Sequence, residues 1–285
     1  MTTTEPIAAY PVQAGAPEPP RRMQRWVFVA TVVWMVVLVG AFAWAVRRGE
    51  PTAREQTTMA DAVPVMTHAR AELARAATAD GLAVVALTGI ERSECDVSVA
   101  RPGIRLQAPV LAFVAPGTEE ALMRRVADRL PASYEASVRT GSAPRLSGDA
   151  GLWVAVAGAV IAPGQVRFVA DTGSCRPDSS TEGVGSAPPG DRAPAQAALD
   201  EIGLSGAVWV HHVDGCASSG NVSTVEGMVA AAGAGSLDEA LPVPGAEAVV
   251  ATPELVAYRA GPAGVAARLV NDQVVVTSTT LTCRP

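Results

Sequence analysis

Histidine is the residue type most often used for acid–base chemistry near neutral pH, and the chain has few of them. Its 285 residues include three histidines, His68, His211 and His212. His211 and His212 are adjacent in a stretch predicted to be a strand, so their side chains point to opposite faces and cannot chelate one ion together. His68 falls on the polar side of a predicted helix. We therefore expect a solvated His68, and one half-buried and one exposed histidine in the strand.

The motifs that normally place a nucleophile or a phosphate are missing from the sequence. No Gly-x-Ser-x-Gly turn is present, and the chain contains no lysine to complete a phosphate-binding loop. Adjacent acids occur in or beside short predicted helices, where the helix dipole explains them without catalysis. The sequence therefore predicts no catalytic residue, no cofactor and no metal site. The acid pairs are Glu119-Glu120, Asp200-Glu201 and Asp238-Glu239.

The longest apolar run has neither a charge nor a proline and extends from Trp26 to Val46. A helix of this length reaches roughly 31 Å, which matches the hydrocarbon thickness of a bilayer. The run therefore predicts a transmembrane helix over 26–46, with arginine and tryptophan at the membrane interfaces. The predicted interface residues are Arg21, Arg22, Arg25, Trp26, Trp44, Arg47 and Arg48.

This apolar run has two other interpretations. Ala41-Phe42-Ala43 is a small-x-small site of the kind cleaved in signal peptides, but the apolar run continues past it to Val46. A buried helix of a soluble core would need a polar face, which this segment lacks. The sequence favours a retained anchor. The arginine difference between the two flanks is too small to fix its orientation.

Four cysteines, Cys95, Cys175, Cys216 and Cys283, follow the apolar run. Their spacings are long and include no C-x-x-C pair, which argues against zinc. In an exported domain, four cysteines predict two disulfides. This interpretation places the N-terminus in the cytoplasm and the large C-terminal part outside it. Four reduced thiols would require the opposite orientation.

An internal repeat selects one of the three possible pairings. Gln165 to Pro177 can be laid over Gln273 to Pro285 without a gap, and both segments end in Cys-Arg-Pro. At the front of each half, a predicted helix, Gly-Leu, a strand and a cysteine recur in that order. Such self-similarity indicates duplication of a folding unit, although two valine-rich hairpins could also match by chance. The repeat pairs Cys95 with Cys175 and Cys216 with Cys283.

Composition and turn signals divide the chain into six segments. The predicted fold class is α+β, a single transmembrane helix followed by two similar units, each a helix layer on a mostly antiparallel sheet with one disulfide. Each unit is expected to run helix–strand–strand–helix–strand–strand. The segments are a disordered cytoplasmic tail (1–25), the transmembrane helix (26–46), a stalk (47–62), a first unit (63–177), a linker (178–193) and a second unit (194–285).

Local signals add finer predictions about the helices. The first helix of the outer part is expected to begin near Pro64, with Glu72 on its polar face. Thr118 is a candidate N-cap for a second helix. Ser236 and Glu239 have the spacing of a capping box for a short helix that ends before Pro242.

Composition also limits the possible functions. The formal net charge is −6 and aromatic residues make up 4%, so neither a basic face nor stacking platforms for nucleic acid are indicated. All 22 basic residues are arginine, a bias typical of GC-rich bacterial genomes. We expect a non-enzymatic binding or scaffolding module of the bacterial cell envelope, with the bilayer and an envelope protein or peptide as partners. The alternatives are a small-molecule or lipid sensor and an unfamiliar hydrolase.

Overall fold

The computed structural model of the chain describes residues 21–48, 58–98, 101–141, 143–173, 175–176, 191–216, 219–232 and 235–283. Most of the predicted tail, stalk and linker lies outside these residues. The chain divides into two compact parts, residues 1–50 and residues 51–285, and each part is described by itself.

The described residues of the N-terminal part form helix α1 (Arg21–Arg48). Within it, Arg25–Trp44 is long and apolar enough to cross a membrane, and none of that stretch is buried. Trp26 is 76% exposed and Trp44 61% exposed. An apolar helix with no covered face fits a membrane anchor or a signal sequence. The side chains of Arg21, Arg22, Arg47 and Arg48 lie outside the described part of the structure.

The C-terminal part contains two halves, which we call the first half (58–176) and the second half (191–283). The first half has two α-helices, and seven strands joined in one antiparallel sheet. Its elements are α2 (Met59–Thr78), β1 (Val84–Leu87), β2 (Glu91–Ser98), β3 (Arg101–Phe113), α3 (Glu119–Arg129), β4 (Ser137–Arg139), β5 (Arg145–Asp149), β6 (Ala155–Ala162) and β7 (Gln165–Asp171).

The second half repeats this plan with six strands in a second antiparallel sheet. The tight turn between its last two strands has positive φ at Asn271 and Asp272, as a two-residue hairpin turn requires. Its elements are α4 (Ala193–Ile202), β8 (Val208–Gly215), β9 (Asn221–Ala230), α5 (Leu237–Ala240), β10 (Glu247–Thr252), β11 (Leu255–Ala260), β12 (Ala263–Val270) and β13 (Gln273–Leu281).

The two sheets have the same strand order. The first runs β1-β3-β7-β6-β5-β4, with β2 pairing a neighbouring stretch of β3, so that β1 and β2 act as one interrupted strand. The second runs β8-β9-β13-β12-β11-β10. In both, the last strand lies in the middle of the sheet. Each half continues with four strands after its second helix, where the predicted unit plan has two.

The α+β class with two helix-covered antiparallel sheets agrees with the structure, but several local predictions are wrong. Helix α2 begins at Met59, because Thr58 and Asp61 form a capping box there and Pro64 is accommodated inside the helix. Glu72 is buried and its carboxylate accepts a hydrogen bond from Nη2 of Arg75 at 2.6 Å. The predicted polar face is covered because α2 packs against the first sheet, α3, and strands β8 and β9.

Two predicted caps are also absent. The hydroxyl of Thr118 donates to the carbonyl of Ala115 at 2.7 Å and does not cap α3. The hydroxyl of Ser236 bonds to Asp238, so Ser236 and Glu239 do not form a capping box. Both hydroxyls donate to a local acceptor, and neither accepts a hydrogen bond from an amide of its helix.

The two halves pack their sheets together over an apolar cluster. On the face away from the helices, the first sheet contributes Val84, Ala86, Leu111 and Phe113, and the second contributes Val250, Leu255, Ala257 and Ala266. The core of the first half also contains Val222 from β9. Residues 51–285 therefore form one compact unit.

Each half is closed by one disulfide. Cys95 in β2 bonds to Cys175 just after β7, and Cys216 just after β8 bonds to Cys283 just after β13. This is the pairing that the internal repeat selects, and it accounts for all four cysteines of the chain. Gly103 on β3 leaves room for the first bridge, since a Cβ there would lie 2.7 Å from the Cys175 sulfur.

Candidate functional site

An open polar surface of the first half lies on the helix-free side of strands β4 to β7. We call it the arginine face and define it by Arg105, Arg139, Arg145 and Arg167 around a floor of Ala155, Ala157 and Ala159. The residues enclose a cleft of about 650 Å³. Side chains alternate between the two faces of a strand, so the apolar partners of these residues point into the core while the arginines point outward.

Three of the four arginines occupy one row across the sheet. Strand register places Arg139 opposite Arg145, Arg145 opposite Ala159, and Ala159 opposite Arg167. Neighbouring strands lie about 4.8 Å apart, so the row extends roughly 14 Å from β4 to β7. Ala159 is the one small residue in this row and leaves a gap between two guanidinium groups.

Arg105 closes one end of the face through a firm ion pair. Its Nε lies 2.8 Å from Oδ1 of Asp171, and Gln107 donates to Oδ2 of the same carboxylate at 2.7 Å. Burial acts to raise the pKa of Asp171, but hydrogen bonds from Arg105, Gln107 and the Gly173 amide hold it below its usual value. Asp171 is thus a fixed negative charge that neutralises Arg105.

The other three arginines are less well matched. Arg167 pairs with Glu91 at 2.7 Å, and the Glu91 side chain is 56% exposed. Among the described residues, neither Arg139 nor Arg145 has a carboxylate partner, and both are exposed. Like charges directly opposite one another destabilise an antiparallel pair. The face therefore presents surplus positive charge on a protein whose formal net charge is −6.

A buried ion pair joins the two halves. Arg70 of α2 holds Asp214 of β8 with two hydrogen bonds, one of them 2.8 Å from Nη2 to Oδ1, and donates a third to the Thr88 carbonyl at 2.9 Å. The two side chains are 3% and 2% exposed. Nearby, the Leu87 amide donates to Thr224 at 3.1 Å. The contact between halves thus has polar as well as apolar parts.

The three histidines differ from the sequence prediction in their exposure. His68, His211 and His212 are all partly buried, because α2 is covered on most sides and packs against β8. Burial, together with the nearby Arg70 charge, lowers the pKa of His212 even though Asp214 acts to raise it. His212 therefore lies beside the Arg70–Asp214 ion pair as a neutral side chain.

His211 forms the one contact among the described residues that resembles part of a hydrolase site. Its Nε2 lies 2.7 Å from the Ser223 hydroxyl. A catalytic triad needs an acid at the other ring nitrogen, but Nδ1 of His211 is buried without a hydrogen-bond partner. Asp214 points to the opposite face of β8 because it is three residues away along the strand. The residues that the structure describes complete no Ser-His-Asp arrangement.

The described residues show no metal site, and the cavity between the two halves is small. No group of three His, Cys, Asp or Glu side chains among them could hold a metal ion. A cavity between the halves, lined by Ala83, Arg259 and Gly264 among others, has a volume of about 180 Å³. This is below the usual range of roughly 300–1,000 Å³ for ligand pockets.

Comparison with known protein families, curated proteins and solved structures finds no match. The arginine face was not predicted from sequence, because β4 and β5 are short and only their register brings Arg139 and Arg145 together. The signal that the sequence does carry is a turn containing Gly141 and Pro144 with an arginine on either side of it.

Proposed function

We propose that this chain is a single-pass membrane protein whose outer domain, outside the cytoplasm, is a non-enzymatic binding or scaffolding module of the cell envelope. Helix α1 would be the retained anchor, with the N-terminus in the cytoplasm. The arginine face carries the proposal, because a broad, concave and charged surface without a catalytic constellation suits recognition of a partner. The two disulfides support an oxidising location, since such bonds persist outside the cytoplasm.

The common strand order of the two sheets supports an internal duplication as the origin of this domain. In this proposal the second half packs against the first half, and the first half binds a partner. The second sheet uses its helix-free side to pack against the first half, while the first sheet keeps most of that side open.

Location and orientation are tested by adding protease to intact cells that carry an epitope tag at the C-terminus. We expect the tag to be lost while a tag at the N-terminus is protected, and the full-length mass to be retained in untreated cells. Alkylation of protein taken directly from cells should find the four cysteines unreactive until a reductant is added. Protection of the C-terminus, or four thiols that react at once, would contradict the proposed location.

Binding is tested by placing a photocrosslinking amino acid at Ala157, the exposed centre of the arginine face. The control position is Ala121, which is exposed on α3 on the other side of the first sheet. We expect a discrete crosslinked protein from Ala157 in living cells and none from Ala121. Equal products at both positions, or none at Ala157, would count against a binding role for this face.

A further inference from the structure

We infer that the arginine face binds an extended acidic peptide segment, whose carboxylates bond to the row formed by Arg139, Arg145 and Arg167. The inference rests on the binding role proposed above and names the chemistry of the partner. The bound segment belongs to another protein, and the structure identifies it only by charge and shape.

Charge complementarity is the first argument. The face has four arginines and three carboxylates, Asp171, Glu91 and the outward Asp149 of β5, so its local balance is positive although the chain as a whole is acidic. Arg139 and Arg145 face each other across β4 and β5 without a carboxylate between them. A carboxylate that bridges these two guanidinium groups removes their repulsion and gains charge-assisted hydrogen bonds.

The ion pair of Arg167 leaves that side chain able to change partner. Its bond to Glu91 crosses from β7 to β2, and the Glu91 carboxylate is largely in water. Exposed ion pairs of this kind contribute little to stability, so an incoming carboxylate can replace Glu91 at little cost. Arg105 is different, because Asp171 is buried and holds it through several hydrogen bonds.

The shape of the face favours a peptide over other polyanions. Ala159 is the small member of the arginine row, and Ala155 and Ala157 lie beside it on β6, so an extended segment that runs across the strands along the row can approach the sheet closely there. The surface is a cleft, and a planar bilayer could not reach its alanine floor. The lining residues include no aromatic side chain, whereas single-stranded nucleic acid is held mainly by stacking on aromatic rings.

The test uses the full-length protein in a zwitterionic detergent and a fluorescent peptide of alternating aspartate and alanine, about a dozen residues long. Alternation puts the carboxylates on one side of an extended chain. We expect saturable binding that weakens as salt is raised from about 50 to about 500 mM, because exposed charges are screened. The matched peptide with asparagine in place of aspartate should not bind.

Variants locate the site. Arg139→Gln and Arg145→Gln should each weaken binding about tenfold or more, the loss expected for a hydrogen-bonded charge pair. Arg145→Lys should recover only part of it, because lysine keeps the charge but not the planar fork. Arg124→Gln on α3 removes one exposed arginine at the same change in net charge and should leave binding unchanged. Thermal melting of each variant confirms that it is folded.

Three results would overturn the inference. The asparagine peptide could bind as well as the aspartate peptide, Arg124→Gln could weaken binding as much as Arg145→Gln, or no binding could be detected at low salt. Vesicles containing phosphatidylglycerol test whether the face binds a lipid surface instead. Binding to vesicles that depends on Arg145, without binding of the peptide, would show that the face binds lipid. A crosslinked partner at Ala157 without acidic-peptide binding would keep the binding role and reject the acidic segment.

Discussion

The two halves have the same strand order but opposite chemistry on their helix-free sides. In the second half this side carries Val250, Leu255 and Ala257 on β10 and β11, and these are buried against the first half. In the first half the strands at the same places in the sheet order are β4 and β5, and they carry Arg139 and Arg145, both exposed. Strand order therefore sets the framework, and outward residues on two or three strands decide whether a face is buried against the other half or left open.

The contrast also shows why the second half covers only part of the first sheet. Strand β1 packs on strands β11, β12 and β13 of the second sheet, but β4 to β6 of the first sheet receive no equivalent cover from the described residues. Apolar burial contributes about 25 cal/mol per Å². A cover over β4 and β5 would gain little, because their outward residues are charged or small.

The largest expected effect on stability comes from breaking the buried ion pair between Arg70 and Asp214. Asp214→Ala leaves Arg70 buried without its carboxylate, which should lower the free energy of unfolding by about 3–5 kcal/mol. Urea denaturation of the full-length protein measures the loss. The control is the double variant Arg70→Met, Asp214→Leu, which removes both charges and should recover most of the stability. A loss below about 1 kcal/mol in Asp214→Ala would mean that this ion pair contributes little to the free energy of unfolding.

The disulfides test whether the two halves depend equally on their closure. The bridges span 80 and 67 residues, so the entropy lost by the unfolded chain is nearly the same for each. Replacing either cysteine pair by serine should lower the free energy of unfolding by about 2–4 kcal/mol. Thermal melting of both double variants, alongside reduced wild-type protein, checks this. A loss confined to one pair would show that the halves differ in more than their surfaces.

The unmatched arginines predict a small gain of stability on substitution. Arg145→Gln removes a like charge opposite Arg139 and should raise the free energy of unfolding by about 0.2–1 kcal/mol in the absence of a ligand. Arg124→Gln breaks an exposed pair with Glu120 and should lower it by about 0.3–0.5 kcal/mol. Urea midpoints measured in one buffer compare the two variants. Destabilisation by Arg145→Gln would indicate that this arginine has a structural role.

His212, beside the Arg70–Asp214 ion pair, predicts that the stability of the folded protein depends on pH. The pKa of His212 is lower in the folded protein than in the unfolded chain, so unfolding takes up a proton when the pH is below about 6.5. The contribution of neutral His212 is complete above that pH and declines as the pH falls toward the folded-state pKa. His212→Gln should therefore flatten the stability profile between about pH 7 and about pH 5, measured by urea denaturation at each pH relative to wild type.

Local patterns in the sequence predicted more of the fold than of the arginine face. The apolar run and the cysteine pairing each depend on a few neighbouring residues or on a repeated segment. Strand β2 was missed because it is a charged strand at the edge of a sheet, with little apolar alternation to signal it. The buried side of α2 was mistaken for a polar face because its cover comes partly from β8 and β9, which lie far along the chain in the second half.

The arginine face could not be predicted in the same way. Arg139 and Arg145 are joined by one hairpin, but Arg167 reaches the same row only through the pairing of β5 with β6 and of β6 with β7. A shift of one residue in either pairing would move an arginine to the opposite face. The site is therefore a property of register, which single-sequence patterns do not determine.

The position of β7 and β13 constrains the order in which the protein can assemble. Each is the last strand of its half, yet each lies between two others in the middle of its sheet, and a bridging cysteine follows shortly after it. Because the chain is made from its N-terminus, neither sheet can close until its final strand has been synthesised. The native disulfide of Cys175 or Cys283 then ties the segment that follows the central strand to the edge of the same sheet.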